Sequence, residues 1–184
     1  MKRILSISFS ILLLSSIVSF SQEKMSVEKF QQIVTTQGDN IPLSEKLAIF
    51  PFWTNSKASV FLKYEDGKTF TEDDVQTAKT INGKYIVFTT QSQFYKKPMD
   101  SIVMYDENAS SFKILAVYGD TIVEGTIVLD SEKKTYKTSS AYGDGFTEVG
   151  SGSYSDKENS EKTLVYKNGA LFMTREVKSL PIVK

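Results

Sequence analysis

The residue types on which most enzyme active sites depend are missing from this chain. Its 184 residues include neither His nor Cys. Imidazole bases, thiol nucleophiles, disulfides, His-ligated haem and the common zinc sites are therefore excluded. The remaining catalytic groups are carboxylates, Lys, Tyr and unassisted hydroxyls, so an enzyme is disfavoured but not excluded. We expect neither a metal nor a cofactor.

Two acidic features are candidates for a site. Oxygen ligands suit Ca²⁺, but the run Glu72-Asp73-Asp74 lacks the alternating spacing of a calcium loop, so it is interpreted as a solvated turn. Glu124 lies within an apolar, strand-like stretch and is the one candidate for a buried acid. An acid without a partner more often has a structural role than a catalytic one.

Two glycine-rich segments, 143–145 and 150–152, could suggest phosphate loops. Neither lies between a strand and a helix, as a phosphate loop must, so we interpret both as turns or a bulged strand.

Aromatic residues are the remaining chemical signal, because they occur in nearly every apolar run of the chain. A cavity lined by such rings suits a flat or apolar ligand whose polar end meets a Tyr hydroxyl. The simpler interpretation is that the rings fill the core. The candidate lining residues for a cavity are Phe88, Tyr105, Phe112, Tyr118, Glu124 and Tyr136.

Composition indicates one globular domain without a nucleic-acid partner. Hydrophobic residues make up 40% of the chain and charged residues 24%, typical of a folded domain. Lys plus Arg and Asp plus Glu number 22 each, and loss of Lys2 and Arg3 with a leader would leave 20 against 22. The mature chain then has no broad basic surface for nucleic acid.

Residues 1–21 have the order of a secretory signal peptide. Lys2 and Arg3 precede an apolar stretch from Ile4 to Phe20, and cleavage after Ser21 would expose Gln22. The stretch is short and contains six Ser residues, so a membrane anchor is disfavoured. No later stretch could span a membrane as a helix. We therefore predict an exported protein, periplasmic or extracellular.

The mature chain should begin with helices. Apolar residues at helical spacing follow Ser26, a plausible N-cap, and the pattern ends at Gly38. A second short helix is predicted from Ser44 to Ile49, between Pro42 and Pro51. Residues 22–58 are thus a helical segment that leads into the next region.

From Ser59 to the end, short runs of period two predict antiparallel strands. Asn168-Gly169 is the strongest hairpin signal because it suits both positive φ values of a type I′ turn. Several runs are apolar on both faces, which favours a barrel whose outer face is partly covered by a helix over a two-sheet sandwich. The nine predicted runs are Ser59–Glu65, Tyr85–Phe94, Ser101–Asp106, Phe112–Tyr118, Ile122–Asp130, Thr135–Ala141, Phe146–Tyr154, Thr163–Lys167 and Ala170–Lys178.

Trp53 is the only Trp, and Arg175 is the only Arg outside the leader. A guanidinium stacks on aromatic rings better than an ammonium does. At these residues the chain resembles lipocalin-like (calycin) barrels, in which a Trp before the first strand packs under an Arg from the last strand. The resemblance implies an up-and-down barrel that is closed by Trp53 and Arg175, and the runs predict eight to nine strands. We expect the two side chains to touch, because closure of a barrel brings the first and last strands together.

The chain is most similar to an uncharacterised bacterial family of exported lipocalin-like domains, a domain of unknown function. Pro51 stands where such barrels carry Gly, two residues before the Trp. Asp-Ser-Ile and Asp-Thr-Ile, at Ser101 and Thr121, resemble bacterial O-glycosylation acceptors. The matching residues are 43–53, 81–85, 104–108 with 112–118, 166–169 and 173–175.

Two functions are compatible with these sequence features. The first is the binding of a small hydrophobic or amphipathic molecule inside the barrel. The second is a ligand-free structural or protein-interaction domain of the cell envelope, whose barrel interior is packed with side chains. An open interior of a few hundred Å³ would favour the first function, and a filled interior the second.

Overall fold

A computed structural model of the chain describes residues 24–92 and 97–182. The predicted signal peptide lies outside these residues. No helix in the two described ranges is long and apolar enough to cross a membrane.

Ten antiparallel strands form a closed up-and-down barrel, in which each strand pairs with its neighbours in sequence. Pairing of the first strand with the last, from Ser56 opposite Pro181 to Tyr64 opposite Met173, closes the barrel. The predicted all-β barrel is confirmed, with ten strands in place of eight to nine. The strands are β1 (Asn55–Tyr64), β2 (Thr69–Ile81), β3 (Tyr85–Gln91), β4 (Met99–Asp106), β5 (Ser111–Tyr118), β6 (Thr121–Asp130), β7 (Thr135–Ala141), β8 (Phe146–Tyr154), β9 (Asn159–Lys167) and β10 (Ala170–Pro181).

The additional strand is β2, and it corrects the interpretation of the acidic run. Glu72 and Asp74 were expected in a solvated turn, but they lie inside β2 opposite Val60 and Ala58 of β1. Their side chains face the lumen, and Glu72 is buried. The alternation of β2 was not recognised because most of its inward residues are polar, whereas period-two patterns are detected through apolar residues.

The predicted turn and helices are confirmed. Asn168 and Gly169 have φ values of 51° and 81°, as a type I′ hairpin between β9 and β10 requires. Helix α1 spans Val27–Thr35, and its N-cap Ser26 accepts a hydrogen bond from the Lys29 amide. Helix α2 spans Glu45–Ala48 and is capped by Ser44.

Helix α1 covers the outer face of the barrel at β3, β4 and β5. Phe30 and Ile33 of the helix pack with the buried outward residues Val87, Ile102 and Leu115. This second core explains why the central strands are apolar on both faces, as the sequence predicted.

The end of α1 is held by Lys79 of β2. The Lys79 ammonium donates hydrogen bonds to the Val34 and Thr36 carbonyl oxygens, at 2.6 and 2.7 Å. A cation is favourable there because the carbonyls at a helix C-terminus lack helical partners and carry partial negative charge.

We expect Phe30→Ala to destabilise the protein by about 3–5 kcal/mol, the usual range for removal of a buried ring. Phe30 is only 1% exposed, so its removal leaves a cavity between α1 and the barrel. Urea unfolding followed by circular dichroism measures the change. Gln31→Ala, at an exposed position of the same helix, is the control. A loss below about 1 kcal/mol for Phe30→Ala would show that α1 is not a stable part of the fold.

Candidate functional site

The barrel lumen contains a cavity of about 730 Å³. One wall comes from inward residues of β3 to β6 and is largely apolar. The opposite wall comes from β1, β2, β7, β9 and β10 and is largely polar. The apolar wall includes Phe88, Val103, Ile114, Ile127 and Leu129, and the polar wall includes Ser56, Gln76, Tyr136, Thr138, Asn159, Glu161 and Ser179.

The segment between α2 and β1 covers one end of this cavity. The Phe50 and Phe52 rings lie 6.4 and 6.2 Å from the Phe88 ring, measured between centroids. Phe50 also packs on Phe112, with centroids 5.1 Å apart. Trp53 follows and lines the cavity. The exposed residues Ile49 and Asp156 lie at the same cavity, so it reaches the surface at this end.

Four of the six predicted lining residues lie inside the barrel. Phe88 and Tyr136 line the cavity. Phe112 is buried in the lumen core beside the cavity, and Tyr105 packs against it with ring centroids 5.3 Å apart.

The other two predicted lining residues lie elsewhere. Tyr118 ends β5 and is 64% exposed. Glu124 was expected as a buried acid, but it is exposed on the outer face, 3.9 Å from the Lys113 ammonium. In β6 the lumen-facing neighbour is Gly125, which pairs with Ile114, so strand alternation directs Glu124 outward. The sequence identified which residues share a face but not which face points inward.

Trp53 and Arg175 occupy different levels of the barrel. Trp53 lies next to the end of β1 that pairs with Pro181, whereas Arg175 pairs with Leu62. The six residue steps from Arg175 to Pro181 extend about 20 Å, at a rise of ~3.3 Å per residue. The predicted stacking assumed that barrel closure itself brings the two residues together, and this register corrects that assumption.

Arg175 instead contacts carboxylates in the lumen. Its Nη2 atom lies 3.4 Å from Glu148 Oε2 and 3.9 Å from Glu161 Oε1. With Glu72 and Asp74 of β2, these residues form a lumen carboxylate cluster of four acids. The cluster was not predicted from the sequence, although a single Arg among many Lys residues was a usable signal for buried acids that need a guanidinium.

Hydroxyl groups hold the acids of the lumen carboxylate cluster. The Tyr136 hydroxyl lies 3.1 Å from Glu161 Oε2 and 2.9 Å from Asn159 Oδ1, and it can donate to either. The Thr163 hydroxyl donates to Glu161 Oε1 at 2.6 Å. The Ser92 hydroxyl donates to Glu72 at 2.5 Å. Within the polar wall, Tyr136, Asn159 and Glu161 are thus joined in one hydrogen-bond network.

Burial and neighbouring carboxylates shift three acidic groups in the lumen. Burial, followed by the charge of Glu72, raises the pKa of Asp74. Burial and the nearby Glu148 raise the pKa of Tyr142 to about 12. The pKa of Tyr136 is raised in the same way by burial and Glu161. Among residues 24–92 and 97–182, no group of three or more acidic side chains has the arrangement of a metal site.

Gly152 lets the Tyr136 ring approach the backbone of β8. A Cβ atom at this position would collide with the Tyr136 ring and with the Ser160 carbonyl oxygen. Residues 150–152 were expected in a turn or a bulged strand, and they lie within strand β8. Their small side chains leave room in the lumen.

We expect Gly152→Ala to destabilise the fold by about 1–3 kcal/mol, because overpacking must move the Tyr136 ring or the β9 backbone. Urea unfolding provides the measurement. The matched control is Ser151→Ala, which changes an exposed residue of the same strand. Equal stability of the two variants would contradict the close approach of Tyr136.

We expect Asp74→Asn to stabilise the protein at neutral pH. Since the folded-state pKa of Asp74 lies above the unfolded value, its charged form opposes folding at neutral pH. This opposition disappears as pH falls through the folded pKa towards the unfolded value near ~4. The advantage of the variant should therefore shrink in acid. Urea unfolding across this range tests it, with Asp73→Asn on the exposed face of β2 as the control.

Comparison with known proteins shows the fold. No family model and no curated protein matches the chain. A protein of unknown function from the DUF3598 family of Nostoc punctiforme is similar in structure, with a TM-score of 0.54 and 10% identity over 77% of this chain. The match covers 50% of that protein, so this chain spans half its length.

A second solved structure, the S-type phycobiliprotein lyase CpeS from Guillardia theta, has a TM-score of 0.52 and 9% identity. The match covers 88% of this chain and 95% of the lyase. At such identities the similarity shows a shared fold alone, which is the closed antiparallel β-barrel described above.

Proposed function

We propose that this protein binds a small amphipathic molecule inside its barrel. The observation that carries the proposal is the lumen cavity of about 730 Å³. Small-molecule sites usually enclose about 300–1,000 Å³ and combine apolar walls with a few placed polar groups. The apolar wall suits the body of a ligand, and the hydrogen-bonding wall suits its polar end.

The alternative, a structural domain with a filled interior, is less consistent with this cavity. Leu47, Phe50 and Phe112 belong to the apolar core of the lumen, and the cavity lies beside them. The structurally similar barrel from Guillardia theta is named as a phycobiliprotein lyase. At 9% identity, that activity is not assigned to this chain. The proposed ligand binding is therefore inferred from the cavity of this chain.

Export is part of the proposal. The basic, apolar and small-residue order of residues 1–21 supports removal of a signal peptide and a mature chain that begins at Gln22. In a periplasmic or extracellular location, a cysteine-free protein depends on its core instead of on disulfides.

Native mass spectrometry of the protein from its own source tests both parts. We expect a chain that begins at Gln22 and carries a small molecule, which is released on denaturation. Ser179→Phe places a ring in the cavity and should abolish this additional mass, because Ser179 lines the cavity. Lys178→Phe adds the same ring on the outer face and should retain it.

Two results would contradict the proposal. A chain that retains Met1 would contradict export. A chain without a small molecule, or a Ser179→Phe protein that retains it, would contradict binding in the lumen.

A further inference from the structure

We propose that the ligand is an apolar molecule with one protonated amine, and that Glu161 binds the ammonium group. This inference rests on the proposed function, because it names the chemical class that the same cavity binds. The charge of the cavity wall, the free acceptor positions of Glu161 and the nearby aromatic rings support it independently.

The cavity wall is acidic. The charged residues that line it, within the described part of the chain, are Asp156 and Glu161, and neither Lys nor Arg lines it. An anionic ligand would therefore enter a cavity whose wall has no positively charged side chain. Like charges that meet at such a site oppose binding, whereas a cation is attracted.

Glu161 has room for a further donor. Its Oε1 accepts a hydrogen bond from Thr163, and its Oε2 lies 3.1 Å from the Tyr136 hydroxyl, which donates either to it or to Asn159. A carboxylate offers about four acceptor positions, so about two remain. The nearest Arg175 nitrogen lies 3.9 Å from Oε1, which is beyond hydrogen-bond distance. An ammonium in the cavity can therefore bind Glu161 without breaking the bonds that orient it.

The lumen behind Glu161 adds negative potential. The other three acids of the lumen carboxylate cluster, Glu72, Asp74 and Glu148, share the single guanidinium of Arg175 with it. The charge of Glu72 contributes, after burial, to the raised pKa of Asp74, so these two acids lie close enough to interact. Charge in a poorly solvated interior acts more strongly than the same charge in water.

Aromatic rings line the same cavity. Trp53, Tyr136 and Tyr154 line it together with Glu161. Aromatic faces attract ammonium groups, and Trp does so best. At the rim of the cavity, the Lys134 ammonium lies over the Tyr154 ring, 5.6 Å from the ring centroid. Carboxylate and aromatic faces together are a favourable environment for a cation with an apolar body.

Three ligands with one adamantane cage test the inference: adamantylamine, adamantanol and adamantane carboxylate. The rigid cage is the same in each, so the affinities differ only through the polar group. Trp53 is the only Trp in the chain and lines the cavity, so its fluorescence reports binding directly. Calorimetry at neutral pH provides a second measurement.

We expect the amine to bind about tenfold more tightly than the alcohol, a difference of ~1.4 kcal/mol, and the carboxylate to bind most weakly. Glu161→Gln keeps the size of the side chain and removes its charge, so the ratio of amine to alcohol affinity should fall towards one. Glu124→Gln removes an exposed carboxylate from the outer face and should leave the ratio as in the wild type.

The outcomes separate the two proposals. Equal binding of amine and alcohol, preference for the carboxylate, or a ratio that Glu161→Gln does not change would overturn the ammonium inference and leave ligand binding supported. If none of the three ligands binds, both proposals fail. The ranking on the wild-type protein is informative even if Glu161→Gln does not fold.

Discussion

The interaction on which the polar half of the lumen depends is the contact of Arg175 with Glu148 and Glu161. Carboxylates removed from water are costly unless a cation and hydrogen-bond donors compensate for the lost hydration. Hydroxyl groups supply donors to Glu161 and Glu72, but within the described residues Arg175 is the group that supplies positive charge to the cluster. The charge balance of the polar half of the lumen therefore depends on one guanidinium.

Barrel size is the second constraint. The diameter of a closed sheet grows with strand number, and about eight strands already give an interior that side chains can just fill. This barrel has ten strands, and several inward positions near the cavity carry small residues, such as Ser56, Ser101 and Gly152. Large apolar side chains concentrate on β3 to β6. The cavity of the lumen is therefore bounded by large apolar side chains on one side and by smaller or polar side chains on the other.

The sequence predictions were correct where local signals or apolar periodicity determine the structure. Helix α1, its cap and the hairpin at Asn168 were predicted because local signals determine them. Strand β2 was not, because its inward face is polar, and Glu124 was assigned to the wrong face because alternation alone does not identify the lumen. The carboxylates around Arg175 come from β2, β8 and β9. Only strand register brings them together, and one sequence does not determine that register.

Closure of the barrel also depends on a contact between distant parts of the chain. β1 is made first and its partner β10 last, so the β1–β10 pairing has the greatest sequence separation in the sheet. Contacts of this kind form slowly because the loop-closure entropy must be lost first. Until β10 docks, the open sheet has two unpaired edges, and such edges are templates for pairing with other chains. Docking of the last strand thus removes both unpaired edges and completes the wall of the lumen cavity.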